Sequence, residues 1–453
     1  MRISLTAAAA GLCLALACGD PGSAGQTPEA ARGVRIVLIT LDTLRRDSFS
    51  AASGSGSSMP RTRAFASRGW IFENYYTATP NTQPSHASLL TGLHPWEHGV
   101  VKNGVLLDDA HATLAELLRE RGFATAAVVA SFPLHAKFGF DQGFDVFLDD
   151  FTRDLGVEVW GGAELENAKF YSLADRVTQR ALDLLQATES GRQFFWFHYF
   201  DPHEPYGDTG SPVIHVPALL KLIGTRSPAI PAALERARRA YERDNAFLDR
   251  ALDRLFAALQ RDAARFETHV VLASDHGESF GEGGVLGHGH HVREEQIRVP
   301  MFIVSPQIGA GARADAAGSV DIPNTIFALA GIDNRLGRGR DLTRPLVAGG
   351  AAVFGMSRPV SEPYDYVGTD GATVTIRSTR FYSARGPKMV TGDSEQLDPE
   401  PADAEIAGRI RSDFERFARA LDASVGRELV DAETRRALEA LGYAEPRGAP
   451  PEH

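Results

Sequence analysis

The sequence predicts an α/β fold, a sandwich in which helices flank a mainly parallel central sheet. Short apolar runs recur along the chain: VRIVLIT (34–40), FATAAVVA (123–130), QFFWFHYF (193–200), THVVLAS (268–274) and VPMFIVS (299–305). Continuous runs of β-branched and aromatic residues fit strands covered on both faces. Between them lie segments with apolar residues at helical spacing, ATLAELLRERG (112–122), SLADRVTQRALDLLQ (172–186) and AYERDNAFLDRALDRLFAALQ (240–260). Strands alternating with helices imply a parallel sheet, and ligands of such sheets gather at the carboxyl ends of the strands. A chain of 453 residues, 43% hydrophobic and 23% charged, has enough apolar material for one large domain and a smaller companion.

The elements follow in order. MRISLTAAAAGLCLALAC (1–18) has one early Arg, an apolar stretch and then Cys18, the build of an export signal, and is short for a membrane span. Ala15 to Cys18 also resembles a bacterial lipoprotein signal, in which the Cys becomes the lipidated first residue. The chain is therefore expected to be exported in a bacterium, periplasmic or held to the membrane by that lipid alone. Cys13 and Cys18 are the 2 cysteines of the sequence, so no disulfide or Cys-based metal site is expected after the leader. GDPGSAGQTPEAARG (19–33) reads as a flexible tether. Residues 34–345 form the main domain. Residues 346–453 change texture, with strand-like TVTIRS (373–378) and RFYSAR (380–385) before an acidic helical tail, and read as a small C-terminal α+β subdomain. No long period repeats, which excludes a solenoid. The net charge of -11 argues against nucleic acid as a partner.

Polar residues collect where three of the strands end. The first strand runs into Asp42, the third into DPHEPY with Asp201 and His203, and the fourth into SDHGESFGEGGVLGHGHH. Each has a bland reading, since Asp after a strand often forms a turn or a helix cap. The last segment gathers Asp275, His276, His288, His290 and His291 on a glycine-rich loop. Carboxylates mixed with imidazoles suit a divalent metal, and a solvated histidine-rich loop is the alternative. In NTQPSHASLLTG (81–92), Pro84 falls in the first turn of a short helix closed by Gly92. Thr82 or Ser85 there is either an N-cap or a hydroxyl held at the helix's partial positive end, where an anion is favoured.

Taken in order, the Asp42 segment, SLLTG and HPWEHGV, DPHEPY, SDHGESFGE with GHGHH, and RVPMFIV resemble the sulfatase family of the alkaline phosphatase superfamily. GFDQGFDVF (139–147), SVDIPNTIFALAGI (319–332) and EALGYAE (439–445) are similar to further segments of its members. The resemblance implies the alkaline phosphatase/sulfatase sandwich over residues 34–345. It puts Asp42, Asp275 and His276 on metal-ligand positions, Thr82 on the nucleophile, and His203 and His288 on histidines facing the charged group of the substrate. His86 falls at an Arg position, and with Lys102 and Asn103 is expected to border the substrate. Asp201, His290 and His291 are candidates for a second metal, so one or two ions are expected.

Two departures from the family matter. Thr82 replaces the Cys or Ser of C/S-x-P-x-R that sulfatases convert to formylglycine, and a secondary alcohol cannot yield that aldehyde. Thr43 stands where many sulfatases have a second acidic ligand, which shifts the expected metal from calcium toward zinc or manganese. A Thr nucleophile is what the superfamily's nucleotide pyrophosphatases and phosphoethanolamine transferases use. The expectation is a hydrolase of phosphate mono- or diesters, on a small-molecule or cell-envelope substrate. The alternatives are a sulfatase working without formylglycine, a phosphoethanolamine-type transferase of the cell envelope, and a non-catalytic lipid-anchored binding protein.

Overall fold

The computed structural model describes residues 32–50, 56–153, 169–210, 212–289 and 293–344, together with the backbone of 353–356 and 379–382. The leader, the tether, Trp160 with most of its loop, His290, His291, TVTIRS and the helical tail lie outside the described residues.

The strands are β1 (Gly33–Leu41), β2 (Trp70–Tyr76), β3 (Ala124–Val128), β4 (Val146–Leu148), β5 (Arg192–Tyr199), β6 (Phe266–Ser274), the short β7 (Ser279–Phe280) and β8 (Leu286–Gly287), β9 (Met301–Val304), β10 (Gly311–Gly318), β11 (Val353–Met356) and β12 (Thr379–Tyr382). The α-helices are α1 (Arg46–Phe49), α2 (Pro60–Ala66), α3 (Thr82–Thr91), α4 (Pro95–His98), α5 (Leu114–Glu120), α6 (Ala174–Ala187), α7 (Val216–Gly224), α8 (Ile230–Arg261), α9 (Glu294–Ile297) and α10 (Ile322–Leu329). Every expected strand up to residue 305 is present within a few residues. The helix expected at 240–260 begins ten residues earlier, at Ile230, with Pro231 in its first turn. Strands β2 and β10 were not expected. Both are partly exposed, β10 at the sheet edge and β2 next to it, and their polar residues hide the apolar pattern of the inner strands.

The main sheet has 8 strands in the order β10-β2-β9-β6-β1-β5-β3-β4. Only β9 runs against its neighbours, pairing antiparallel with both β2 and β6. Ile36 to Ile39 of β1 and Phe194 to Phe197 of β5 have no exposed surface, as the continuous apolar runs require. The amphipathic α8 buries Leu248, Leu252, Leu255 and Phe256 toward the core, and α6 buries Val177, Ala181 and Leu185. Further along the chain, β11 and β12 form an antiparallel pair.

Register decides where the chemistry falls. Leu41 at the end of β1 lies opposite Tyr199 on one side and Ser274 on the other. The next residues of all three strands, Asp42, Phe200 and Asp275, therefore emerge side by side at one edge of the sheet. Three segments far apart in the sequence meet because parallel pairing aligns their carboxyl ends.

Candidate active site

Asp42 leaves the end of β1 fully buried, and the chain turns at once through Thr43, whose φ is +54°. A β-branched residue rarely adopts that left-handed conformation. Its backbone N–H donates to Asp275 Oδ1 at 3.2 Å, so the turn locks the ends of β1 and β6 together. The opposite side of the same oxygen is held by His276 N at 2.6 Å. The second oxygen of Asp275 is left pointing inward. Gly277 brings the chain against α9 so closely that a Cβ there would lie 2.0 Å from the Glu295 carbonyl oxygen, and its N–H donates to Gln296 O at 2.7 Å.

Asp42, Asp275 and His276 each present one ligand atom, and these atoms lie within 4.8 Å of one another. His276 Nε2 is 3.5 Å from both Asp42 Oδ1 and Asp275 Oδ2. Thr82 Oγ1 stands 3.3 Å from the same nitrogen and also faces Asp42. Donor atoms about 2.1 Å from a tetrahedral ion would be about 3.4 Å apart. The fit to a cation is borne by the polar atoms themselves: both Asp42 oxygens and Asp275 Oδ2 are buried with no hydrogen-bond partner. Buried carboxylates without partners are costly, and a divalent ion satisfies them. Burial raises the pKa of Asp42, opposed by His203 and His276, and raises that of Asp275, with the charge of Asp42 adding to it.

Helix α3 delivers Thr82 as its first residue, after Asn81 in extended conformation, and Gly92 closes it at φ +67° as the sequence suggested. Neither bland reading of its hydroxyls holds, because Asn81 occupies the N-cap position. Ser85 Oγ instead donates to Asp275 O at 2.7 Å and meets Thr77 Oγ1 at 2.8 Å. Asn81 Nδ2 donates to Gly289 O at 3.1 Å, which ties the start of α3 to the loop carrying His288.

The imidazoles have their proton positions set by what they touch. His276 Nδ1 faces Gly277 O at 3.1 Å and His203 Nδ1 faces Glu204 O at 2.7 Å. A carbonyl only accepts, so each Nδ1 carries the proton and each Nε2 a lone pair. His288 Nδ1 lies 3.2 Å from both oxygens of Glu278, which also accepts from Tyr206 OH at 2.8 Å. The rings of His203 and His276 lie 5.0 and 4.4 Å from that of His288. Burial pushes His288 down to about 3 and lowers His203 and His276, while it pushes Glu278 up to about 7.

Other expected site residues take different places. His86, at 0% exposure, donates from Nδ1 to Thr82 O (2.8 Å) and accepts at Nε2 from Thr40 Oγ1 (3.0 Å). Both nitrogens are engaged inside the core, where the side chain supports the helix that carries Thr82. Asp201 is not in the ligand group. Its Oδ1 accepts from Ala174 N at 3.0 Å and so caps α6, a carboxylate in the role that its bland reading gave it. Asn103 Oδ1 accepts from Gln83 N at 2.9 Å at the start of α3, and Lys102 beside it is partly exposed.

Sequence reasoning missed His198 and Glu278. His198 lies within the apolar run of β5, where Nδ1 accepts from Ala130 N at 3.2 Å and Nε2 therefore points its proton at Asp42 Oδ2, 3.6 Å away. The signal was a lone imidazole in a strand covered on both faces, which must find a partner inside. Glu278 was visible in SDHGES and went unassigned.

Comparison with known proteins bears on this arrangement. The Sulfatase family model matches residues 35–332, a span that includes every residue of the site. The choline-sulfatase of Rhizobium meliloti (strain 1021) is 26% identical over 349 residues, 66% of this chain and 67% of that protein. The ulvan-active sulfatase of Formosa agariphila is 24% identical over 340 residues, 70% of this chain and 65% of that protein. The chain thus spans about two thirds of the length of these curated relatives. Among solved structures, the phosphonate monoester hydrolase from Silicibacter pomeroyi superposes with a TM-score of 0.60 at 19% identity, covering 88% of this chain and 100% of that one. With a matching family model over residues 35–332 and a buried Asp/His group that fits a divalent metal, the chain belongs to the sulfatase family, a family of hydrolases acting on sulfuric and phosphoric esters.

Proposed function

We propose that the chain is a metal-dependent hydrolase of phosphate mono- or diesters that uses Thr82 as its nucleophile. The observation that carries this reading is the position of Thr82 Oγ1, 3.3 Å from His276 Nε2 and beside the Asp42, Asp275 and His276 group. Asp42, Asp275 and His276 would hold one divalent ion. A set that mixes an imidazole with two carboxylates favours zinc or manganese over calcium. Such an ion supplies positive charge that lowers the pKa of the Thr82 hydroxyl and offsets the anionic oxygens of the ester.

Helix α3 holds Thr82 at its N-terminus, where the macrodipole favours the alkoxide form. The hydroxyl oxygen attacks phosphorus in line, the bond to the departing alcohol breaks, and a phosphothreonine results. Water then attacks the phosphothreonine, releasing phosphate and restoring Thr82. His203 and His288 are the groups within this pocket that accept and donate the protons of these steps. The export signal and Cys18 support a periplasmic or lipid-anchored enzyme acting on a small-molecule or cell-envelope ester. Among the described residues, no helix is long and apolar enough to cross a membrane.

A second reading, hydrolysis of sulfate esters by the same Thr82 oxygen, is favoured by the choline-sulfatase and ulvan-active sulfatase relatives. Side-by-side assay of nitrophenyl phosphate, bis(nitrophenyl) phosphate and nitrophenyl sulfate separates the two. Thr82→Ala should abolish turnover of whichever ester is used while metal content stays at the wild-type level. Unchanged turnover would remove Thr82 from the mechanism.

A further inference from the structure

The edge of the sheet opposite Asp42 and Asp275, where the parallel strands begin, holds a cleft away from the ester site. Its volume is about 370 Å³, inside the range of roughly 300–1,000 Å³ usual for small-molecule pockets. Phe65 of α2, Leu259 of α8, Phe266 of β6, and Val304 and Ile308 at and after the end of β9 give it apolar walls. Arg32 and Arg68, both exposed, line it as well. Apolar walls beside two guanidinium groups suit an amphiphile, a hydrocarbon chain with an anionic head.

The cations extend past the cleft. Arg32 precedes β1, Arg68 precedes β2, Arg121 precedes β3 and Arg265 precedes β6, and each is exposed, on a chain whose net charge is -11. Gly33 N donates to Arg265 O at 2.9 Å, which sets Arg265 beside the start of β1. Among the described residues, no ion pair joins any of these four arginines to a carboxylate. The acidic groups of this edge are fewer and partly engaged: Asp262 pairs with the buried Arg35 at 2.8 Å, Glu267 accepts from Gln307 at 3.0 Å, and Glu189 is exposed. Residue 32 is also where the stretch from Cys18 reaches the domain. Residues 19–31 can span about 45 Å at most, so a lipid on Cys18 would attach the domain to a bilayer by this edge.

We infer that this edge is a second membrane contact, in which an anionic phospholipid of the anchoring bilayer lays an acyl chain in the cleft and its phosphate against Arg32 and Arg68. Arg121 and Arg265 then lie over neighbouring headgroups. The inference rests on the lipid-anchored reading above for the source of the lipid, and not on the nucleophile or the ester. β1 has 9 residues, so at about 3.3 Å each the ester site lies about 30 Å from this edge. Docked in this way, the site opens away from the bilayer, and its substrate comes from the aqueous side rather than from the leaflet.

The test is flotation of the full chain with lipid vesicles, in a Cys18→Ser background so that no lipid anchor contributes and the leader is common to every variant. Vesicles of phosphatidylcholine with phosphatidylglycerol should take up the chain more strongly than vesicles of phosphatidylcholine alone. Arg32→Gln combined with Arg68→Gln should weaken that uptake about 30-fold, about fivefold for each arginine, and raised salt should weaken it in the same direction. Ile308→Asn, which sets a neutral polar group among the apolar walls, should weaken it too. Ala263→Gln fills part of the same cleft from an exposed position, and decides the matter if the Asn variant does not fold. Equal uptake by the two kinds of vesicle, or unchanged uptake by the arginine variant, overturns the inference. A loss in the arginine variant alone, with the cleft variants unchanged, overturns the acyl occupant and leaves only a basic surface. Mass spectrometry of Cys18 in the wild type tests the anchor by itself: an unmodified cysteine would fail the anchored reading, and the vesicle comparison would still decide what the cleft holds.

Discussion

Replacing Asp275 by Asn should move the stability of the metal-free and metal-loaded protein in opposite directions. Asp42 and Asp275 present oxygens within 4.8 Å of each other, both buried and with no described cationic side chain between them. At an effective dielectric of about 20, two unit charges at that distance repel by about 3.5 kcal/mol. Asn at 275 keeps an Oδ1 for the N–H groups of Thr43 and His276, and its amide N–H can be received by His276 Nε2, 3.5 Å from the present Oδ2. The metal-free variant should therefore be more stable than metal-free wild type at pH 7.5, by up to about 3 kcal/mol, or several degrees in Tm. The pH dependence has a definite sign. Both carboxyls have pKa values raised by burial, so the folded metal-free protein binds more protons than the unfolded chain, and its stability falls as pH rises from the ordinary carboxyl range toward neutrality. Asn removes one titrating group and should flatten that fall. With zinc or manganese present the order reverses, because the wild type gains stability from binding the ion and the variant gains little. Urea unfolding of both proteins in chelator and in metal, between pH 5 and 8, measures all four states. An Asn variant that is less stable than wild type in chelator, or that keeps the full metal-induced gain, would refute the assignment of Asp42 and Asp275 as facing carboxylates of one ion site.

Two further outcomes are expected. His198→Phe leaves the Ala130 N–H without its acceptor and removes the Nε2 proton that faces Asp42 Oδ2; stability should fall by about 1–3 kcal/mol and metal affinity by about 10–100-fold, read by unfolding and by competition with a chelator, and an unchanged affinity would separate His198 from the site. Glu204, pushed up to about 8 by burial, should contribute stability that is complete below its ordinary value of 4.5 and lost as pH rises through 8. Glu204→Gln retains an acceptor for Val216 N and should flatten that portion of the stability curve; an unaltered slope between pH 5 and 8 would show that Glu204 does not titrate there.

The fold was legible because its inner strands are covered on both faces, and continuous apolar runs such as VRIVLIT and QFFWFHYF have few other uses. Strands β2 and β10 were not legible, since partial exposure at and next to the sheet edge leaves them mixed polar and apolar. That Asp42, Asp275 and His276 lie together could be anticipated because they come within two residues of the ends of buried strands, and parallel register converts that local fact into a spatial one. His86 and Asp201 were harder, because a buried polar residue reads the same whether it serves a ligand or the backbone. Which it serves depends on neighbours from other segments, Thr40 in one case and Ala174 in the other. Glu278 and His198 act through a second residue, and a single sequence carries no sign of such pairings beyond the oddity of a charge or an imidazole in an apolar setting.

His86 shows how the departures from C/S-x-P-x-R fit together. Trp196 Nε1 donates to Thr40 Oγ1 at 2.9 Å, Thr40 donates to His86 Nε2 at 3.0 Å, and His86 Nδ1 donates to the carbonyl of Thr82 at 2.8 Å. This chain of neutral donors needs no charge at any point, and burial holds the His86 imidazole well below its ordinary pKa. An arginine at the same position would place a permanent cation next to Asp275, whose Oδ2 lies 3.5 Å from His86 Nδ1. With histidine there, the described side chains facing Asp42 and Asp275 are imidazoles and hydroxyls with the Glu278 carboxyl group nearby, so none of them is a permanent cation and the charge of the two carboxylates calls for an ion or for protons. An ion held there would then be a structural component as much as a catalytic one. A site of this composition should bind its ion more tightly as pH rises, since each carboxyl must lose its proton before the ion can take its place.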